Sequence, residues 1–299
     1  MQERSTTRLT GSAEQLRAEL ERLKADDTRT DAVREAHSRK AAGGCMLTFV
    51  LVIGAFFLFS VAPLLGVTAA IAAVVVAVGT GQHYAAQQKL AKIDLDAPRL
   101  AVAEGLLKLL AEDLSPKKAL SLTLQHGPCD RFGKKLSEES GSVFGSVRIS
   151  EHEDDWFELS GTLTDGSVFR LRVCCHLKRK AKPKRKYTKI SDRFTDEVVL
   201  SLRVPQSDYP DLQSFGLRIP REQFSRQTGM HIKRVAVRGP VIRLSAVTGA
   251  QLKRTARGGT HSLGTEHAIS GSKLMGLFAC TYAALSHCRS GTGAGAGAA

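Results

Sequence analysis

Residues 45–81 read CMLTFVLVIGAFFLFSVAPLLGVTAAIAAVVVAVGTG, without one charged side chain. A single helix of this length would reach about 55 Å, nearly twice the roughly 30 Å hydrocarbon core of a bilayer. Pro63 lies near the middle, and Gly66 follows it. Proline lacks an N–H donor and glycine tolerates unusual dihedrals, so the pair predicts a transmembrane turn at Pro63 and Gly66 between two membrane-length helices.

The two halves of the stretch differ in side-chain size. The first half is rich in phenylalanine and leucine, whereas the second is rich in alanine and valine. Ala69, Ala73 and Ala77 recur every four residues and predict a stripe of small side chains. Helices in lipid associate by close packing of such stripes. We therefore expect a helical hairpin packed through these alanines.

Basic residues flank the hydrophobic stretch on both sides: Arg29, Arg34, Arg39 and Lys40 before it, and Lys89, Lys92 and Arg99 after it. Lys and Arg near membrane ends tend to remain cytoplasmic. The pattern predicts an integral protein of a plasma or inner membrane, with the lipid bilayer as its partner and both termini cytoplasmic. One long kinked crossing and a hairpin buried in a soluble protein are the alternatives. A cleaved signal peptide is disfavoured, because the apolar run exceeds an h-region of about 7–15 residues.

The formal net charge is +14, and residues 178–186 concentrate it. Their cations are Lys178, Arg179, Lys180, Lys182, Lys184, Arg185 and Lys186. Pro183 argues against a helix, so we expect a flexible basic loop between two strands. Anionic lipid headgroups would attract it. A plain solvated loop, an acidic protein partner and nucleic acid are the alternatives. Nucleic acid is the less expected partner, because no aromatic residues for base stacking interleave the cations.

The N-terminal segment, residues 1–44, combines a disordered start over residues 1–10 with a helix. Ser12 and Gln15 form a capping-box pattern. Leu16, Leu20 and Leu23 then make a narrow apolar stripe, which fits either packing on the protein's own body or self-association through residues 12–40. Residues 41–44, AAGG, predict a flexible step into the membrane.

Beyond the membrane the sequence predicts an amphipathic helix within residues 82–116, then strands with a period of two over residues 117–250. Around Asp165-Gly166 a three-residue loop pairs Gly161 with Phe169, Leu159 with Leu171 and Phe157 with Val173, and places Gly166 in a left-handed bulge position. The fold class is therefore α+β and membrane-anchored: a two-helix transmembrane hairpin plus an antiparallel, hairpin-rich β domain with flanking helices. The helix over residues 100–114 or a second sheet layer would cover its apolar face.

The C-terminal segment, residues 251–299, predicts a linker, a short helix over residues 272–287 and a disordered Gly/Ala tail. The six cysteines follow no regular spacing and include no CxxC pair. A disulfide framework in a secreted domain would be more orderly, so free thiols in a reducing compartment are the simpler interpretation.

Two polar clusters resemble functional sites, but the sequence favours simpler interpretations of both. Cys174, Cys175 and His176 alternate in direction on a strand, so only Cys174 and His176 can share a face, and no second ligand pair stands nearby. We therefore expect no metal there and no cofactor elsewhere. Residues 151–155, EHEDD, fit a solvated acidic turn, with attraction to the basic loop as the alternative.

Signatures of nucleotide binding and hydrolysis are missing: GxxxxGK[ST], GxGxxG, GxSxG and HExxH do not occur in functional context. The sequence therefore predicts a non-enzymatic recognition or scaffolding protein at a membrane surface. An enzyme acting on a lipid or membrane-bound substrate is one alternative, and a membrane tether for nucleic acid is another.

Overall fold

The computed structural model describes residues 6–90, 97–127, 129, 133–141, 147–185, 188–256 and 269–289, with backbone alone for residues 87–90, 140, 141 and 249–256. The chain divides into two compact units. One comprises residues 1–3 and 22–95, and the other comprises residues 4–21 and 96–299. We call them the hairpin unit and the sheet unit. The N-terminal helix contributes to both, because the division falls between residues 21 and 22.

Two helices form the hairpin unit: α1, Ala13–Val61, of which this unit holds residues 22–61, and α2, Pro63–Leu90. Pro63 begins α2, where its missing N–H would have had no helical partner. The Ala62 carbonyl accepts hydrogen bonds from the Leu65 and Gly66 amides at 3.0 and 3.1 Å, which closes the first turn of α2. The predicted break at Pro63 is confirmed, and both helices are long and apolar enough to cross a membrane.

The two helices pack against each other in opposite directions. His37 Nδ1 lies 2.9 Å from His83 Nδ1, and a Cβ at Gly44 would overlap the Thr80 hydroxyl. Near the turn, Gly66 packs against Phe59. The flexible step predicted at residues 41–44 is wrong, because α1 runs through it without a break. Close packing of Gly44 against Thr80 supports a helix that the roughly 1 kcal/mol glycine penalty would otherwise weaken.

The sheet unit contains, in its described residues, one antiparallel sheet of eight strands. The strands are β1 Thr6–Gly11, β2 Leu120–Gln125, β3 Lys134–Gly141, β4 Val147–Thr162, β5 Val168–Pro183, β6 Thr188–Arg203, β7 His231–Arg238 and β8 Val241–Ala256. Their order is β1-β2-β4-β5-β6-β8-β7, and β3 pairs with the first half of β4. The disorder predicted for residues 1–10 is wrong for residues 6–10, which pair with β2 as an edge strand.

Hairpin β4–β5 adopts the predicted register. Gly161 pairs with Phe169, Leu159 with Leu171 and Phe157 with Val173. Gly166 has φ +81°, in the left-handed region that glycine adopts most easily. The Leu163 amide donates to the Ser167 carbonyl at 2.8 Å, which closes the predicted three-residue loop.

A bulge at Trp156 changes the register of the same hairpin. Asp155 pairs with Cys174 and Phe157 with Val173, so Trp156 is the extra residue. A one-residue shift moves every side chain of a strand to the other face. Upstream of Trp156 the even-numbered residues therefore lie on the inner face of the sheet, and Asp154 becomes buried.

Helices cover the inner face of the sheet. Besides α3, Ala97–Leu110, the sheet unit has the short helices α4, Phe215–Arg218, and α5, Arg221–Thr228, and the C-terminal α6, Gly271–Ser286. Helices α3 and α6 pack together, and Phe278 of α6 meets Phe169 of β5 edge to face with ring centroids 5.3 Å apart. Helical cover, the first of the two predicted alternatives, is confirmed.

Arg99 lies in the first turn of α3 and is buried inside the sheet unit. Its guanidinium is fully buried, donates to Asp154 Oδ2 at 2.9 Å and to the Gln125 carbonyl, and stands 5.1 Å from the Trp156 ring centroid. The sequence analysis counted Arg99 among the basic residues that flank the membrane segment. That prediction is wrong, because the side chain is buried in the sheet unit. The β4 bulge makes the pair possible, because it turns Asp154 inward.

Candidate functional site: the basic arm of the sheet

The basic residues lie on an extension of hairpin β5–β6 rather than in a flexible loop. Residues 178–183 are the last part of β5 and pair with β4 and β6 on either side. Pro183 ends the strand, where a missing N–H is tolerated. Only residues 184–187 connect β5 to β6. We call residues 178–185 and 188–193 the basic arm. The predicted loop conformation is therefore wrong for residues 178–183.

The register of β5 and β6 places like charges opposite one another. Lys178 pairs with Arg193, and Lys182 pairs with Lys189. Lys180 lies between them on the same outer face, opposite Ser191. Like charges directly opposite one another destabilise a sheet. The outer face of the basic arm is therefore a surface whose electrostatic repulsion an anion would relieve.

Two of the predicted cations already have partners within the sheet unit. Lys178 Nζ lies 2.7 Å from Glu151 Oε1, and Arg179 Nε lies 2.8 Å from Asp192 Oδ1. Hydrogen bonding to Lys178 and its charge hold the pKa of Glu151 below its ordinary value. Arg179 points to the inner face, so it leaves the candidate binding set. The expected acidic turn at residues 151–155 is wrong, since these residues lie on β4, and their alternative role, attraction to the basic residues, is confirmed at Glu151.

The remaining predicted cations stay on the surface. Lys180, Lys182, Lys184 and Arg185 are exposed and make no ion pair among the described residues, and Lys186 lies outside the described residues. Lys189 and Arg193, which the sequence analysis missed, join them from β6. Alternation of Lys178, Lys180 and Lys182 with Arg179 and Ala181 was the signal available for a strand.

The three alanines predicted to pack the helical hairpin differ in how deeply they are buried. Ala73 is 4% exposed, and Ala69 is half-buried. Ala77 is exposed and lines a groove of about 390 Å³ shared with Thr48 and Ala55 of α1. Burial on α2 follows Gly66, Ala69, Ala73, Val76 and Thr80, so the contact stripe recurs every three or four residues rather than strictly every four.

Cys174 and His176 share the outer face of β5, as expected, whereas Cys175 faces the core. Cys174 Sγ lies 3.5 Å from Glu153 Oε1 of β4. Burial, together with the charges of Asp155 and Glu153, raises the pKa of the Cys174 thiol. All six cysteines are free thiols.

A cavity of about 360 Å³ lies between α3, the β4–β5 loop and α6. Its polar lining includes Asp113, Asp165 and Tyr282. The Asp165 carboxylate accepts hydrogen bonds from the Ser167 amide, the Ser167 hydroxyl and the Tyr282 hydroxyl, all within 2.8–3.0 Å. These hydrogen bonds hold the β4–β5 loop against α6, so the Asp165 carboxylate has a structural role in the cavity.

Comparison with known proteins finds no matching protein family, no matching curated protein and no matching solved structure.

Proposed function

We propose that the protein is a membrane-anchored recognition or scaffolding protein whose basic arm binds anionic lipid headgroups. The observation that carries this proposal is the like-charge pairing on the outer face of β5–β6, where Lys182 opposes Lys189 and Lys180 lies beside them. A phosphate- or carboxylate-bearing surface turns this repulsion into attraction, and a sheet face presents several cations to such a surface at once.

Membrane anchoring is supported by the outward-facing side chains of the hairpin unit. Phe56, Leu64 and Phe57 are 85%, 85% and 73% exposed. Contiguous apolar surface on this scale marks an interaction site for membrane or protein. The basic flanks Arg29, Arg34, Arg39, Lys40, Lys89 and Lys92 favour two crossings with both termini cytoplasmic, in a plasma or inner membrane.

The cations that face an anionic membrane are those without an internal carboxylate partner among the described residues. They are Lys180, Lys182, Lys184, Arg185, Lys189 and Arg193. Each basic residue near an anionic leaflet contributes about 1 kcal/mol before conformational costs. Lys178 and Arg179 contribute less, because Glu151 and Asp192 already neutralise them.

Vesicle capture tests the headgroup proposal with the full chain. The chain is held in nanodiscs of neutral phosphatidylcholine, and its capture by vesicles with and without phosphatidylserine is measured at fixed salt. We expect phosphatidylserine-dependent capture. Lys180→Gln with Lys182→Gln should weaken it by up to roughly thirtyfold, at about 1 kcal/mol for each charge. Lys117→Gln with Lys118→Gln removes the same charge from two exposed lysines of the same unit and is the matched control.

The same preparation separates the competing partners of the basic arm. Capture that is equal on neutral and anionic vesicles would sink the headgroup proposal. Tight, steeply salt-dependent binding to duplex DNA would favour a nucleic-acid tether, and saturable binding to polyglutamate without vesicle capture would favour an acidic protein partner. Loss of capture in Arg238→Gln with Arg243→Gln, but not in the arm variant, would move the contact to the basic groove of β7–β8.

Cysteine labelling in intact cells tests the topology. Cys288 is 1% exposed and Cys174 is half-buried, so neither reports membrane sidedness cleanly. Lys118→Cys places a thiol at an exposed position of the sheet unit. We expect an impermeant maleimide to label it only after the membrane is opened. Labelling in intact cells would establish a single crossing instead.

A further inference from the structure

Three side chains with different metal-binding donors converge on the outer face of hairpin β4–β5. Glu153 stands directly opposite His176 in the β4–β5 register, and Cys174 precedes His176 by two residues on the same face. The candidate ligand atoms of the three residues all lie within 4.8 Å of one another. Cys174 Sγ lies 3.5 Å from Glu153 Oε1.

The bulge at Trp156 creates this convergence. Without it, the register of the loop-proximal half, which pairs Phe157 with Val173, would set Glu153 opposite Leu177 on the inner face. With the extra residue, Glu153 crosses to the outer face and meets His176. The site therefore depends on a contact between strands that spacing along the sequence does not show.

The spacing of the three ligand atoms is close to that of an occupied site. With bond lengths of about 2.0–2.3 Å, the ligand atoms of a tetrahedral zinc site stand roughly 3.3–3.8 Å apart. The Cys174–Glu153 separation already lies in that range. A side-chain movement of about one ångström would bring the third donor into that range, and Glu153 and His176 are both partly accessible to solvent.

Two further carboxylates flank this position, and each has a cationic partner. Asp155 lies opposite Cys174 on β4, and Glu197 lies opposite it on β6. Asp155 is held by Arg172 at 2.9 Å, and Glu197 is held by Lys233 at 2.9 Å and by Ser245 at 2.8 Å. These partners keep the two flanking carboxylates in place, so Glu153 is the carboxylate best placed to bind, and a fourth position is left for water.

The donor set selects the class of metal. Mg²⁺ and Ca²⁺ take oxygen ligands, whereas a thiolate with an imidazole and a carboxylate suits Zn²⁺. We propose that Glu153, Cys174 and His176 bind a Zn²⁺-class divalent cation on the outer face of the sheet, with one coordination position open. Binding displaces the thiol proton, so that a neutral imidazole, a thiolate and a carboxylate ligate the metal.

Titration of the reduced, full-length chain with Co²⁺ in nonionic detergent tests the site. Co²⁺ takes the tetrahedral geometry of Zn²⁺, and a thiolate ligand gives it a near-ultraviolet charge-transfer band. We expect this band to appear and to disappear on addition of Zn²⁺. Cys174→Ser should abolish it, whereas Cys175→Ser and Cys45→Ser, which alter a core-facing and an exposed thiol, should leave it unchanged.

His176→Asn and Glu153→Gln should each weaken Co²⁺ binding by at least the roughly tenfold that loss of a supporting partner alone causes. Glu153→Gln is isosteric and partly exposed, so it carries the test if Cys174→Ser fails to fold. The proposal is overturned if the wild-type chain gives no charge-transfer band at millimolar Co²⁺, or if the band survives Cys174→Ser. It is also overturned if Co²⁺ binds only without the band, because the metal then lies elsewhere, for example at His37 and His83.

Discussion

The hairpin unit and the sheet unit place the same residue type in opposite environments. Phe49, Phe56 and Phe57 of α1 are 67–85% exposed, whereas Phe169, Phe215 and Phe278 of the sheet unit are at most 2% exposed. Burying a phenylalanine side chain is worth about 1.5–3 kcal/mol. The sheet unit gains this from its own core. The hairpin unit gains it only from a surrounding apolar phase, which supports the proposal of membrane insertion.

The two units also differ in the size of the side chains at their internal contacts. Small side chains, Gly44, Ala73 and Thr80, lie where the two helices of the hairpin unit meet. Large side chains fill the sheet unit, together with the buried ion pair of Arg99 and Asp154. Close backbone approach holds helices together in lipid, whereas removal of apolar area from water stabilises a soluble core.

Breaking the buried ion pair should produce the largest effect. Arg99→Met leaves Asp154 charged and buried, which should lower the free energy of unfolding of the sheet unit by about 3–5 kcal/mol. Adding Asp154→Leu removes the stranded charge and should recover much of that loss. Thermal unfolding of the full chain in detergent measures both variants. Arg170→Met, which removes a mostly exposed partner of Glu158, is the control and should cost at most about 1 kcal/mol. Equal shifts for Arg99→Met and Arg170→Met would contradict the prediction.

A charge on the outside of the hairpin should have the next largest effect. Phe56→Arg should disfavour membrane insertion by about 2.5–3.5 kcal/mol if the side chain faces lipid. Leu217 on α4 is 91% exposed in the sheet unit, so Leu217→Arg should change stability by less than about 0.5 kcal/mol. The fraction of each variant recovered with washed membranes measures the difference. Unaltered membrane recovery of Phe56→Arg would mean that α1 does not face lipid.

The sequence predicted best those features that local chemistry determines. Pro63 fixed the helix break, and the alternation on either side of Asp165-Gly166 fixed the register of one hairpin as far as Phe157. The Trp156 bulge was not predictable, because two large apolar residues stand side by side and either could be the extra one. Strand β1 was missed for a different reason: among Thr6–Gly11 only Leu9 is apolar, and the strand exists through pairing with β2, far away in sequence.

The candidate sites were predictable to the same extent. The cations between residues 178 and 186 were identified from the sequence, but Pro183 suggested a loop and hid the period of two in Lys178, Lys180 and Lys182. Lys189 and Arg193 were missed because their contribution depends on the β5–β6 register. Glu153 was missed as a partner of His176 because the bulge decides which face it occupies. In each case the missing information is a pairing between strands rather than a property of one segment.

A larger side chain at the contact between α1 and α2 should have a smaller effect on stability, and the neighbouring Gly43 provides a control. Gly44→Leu should disrupt the helix pair by about 1–3 kcal/mol, because its Cβ would overlap Thr80. At Gly43 a Cβ meets nothing within 4 Å, so Gly43→Leu should be neutral or favourable. Disulfide formation between His37→Cys and His83→Cys, in a Cys45→Ser background, reports the packing. Equal crosslinking rates in the Gly43 and Gly44 variants would argue against the antiparallel contact.

Titration of Glu151 should show the smallest effect and connect the sheet to the basic arm. Lys178 holds the pKa of Glu151 below its ordinary value, so the pair's contribution to stability is present above the unfolded pKa and is lost as pH falls through the folded pKa. Lys178→Gln should return the pKa toward its ordinary value, as measured by carbon NMR of labelled glutamate. An unchanged pKa would show that the pair does not persist in solution.

If the pair does persist, Glu151→Gln releases Lys178 opposite Arg193. It should then strengthen capture by phosphatidylserine vesicles a few-fold, because the arm gains one unpaired cation on the face that meets the headgroups.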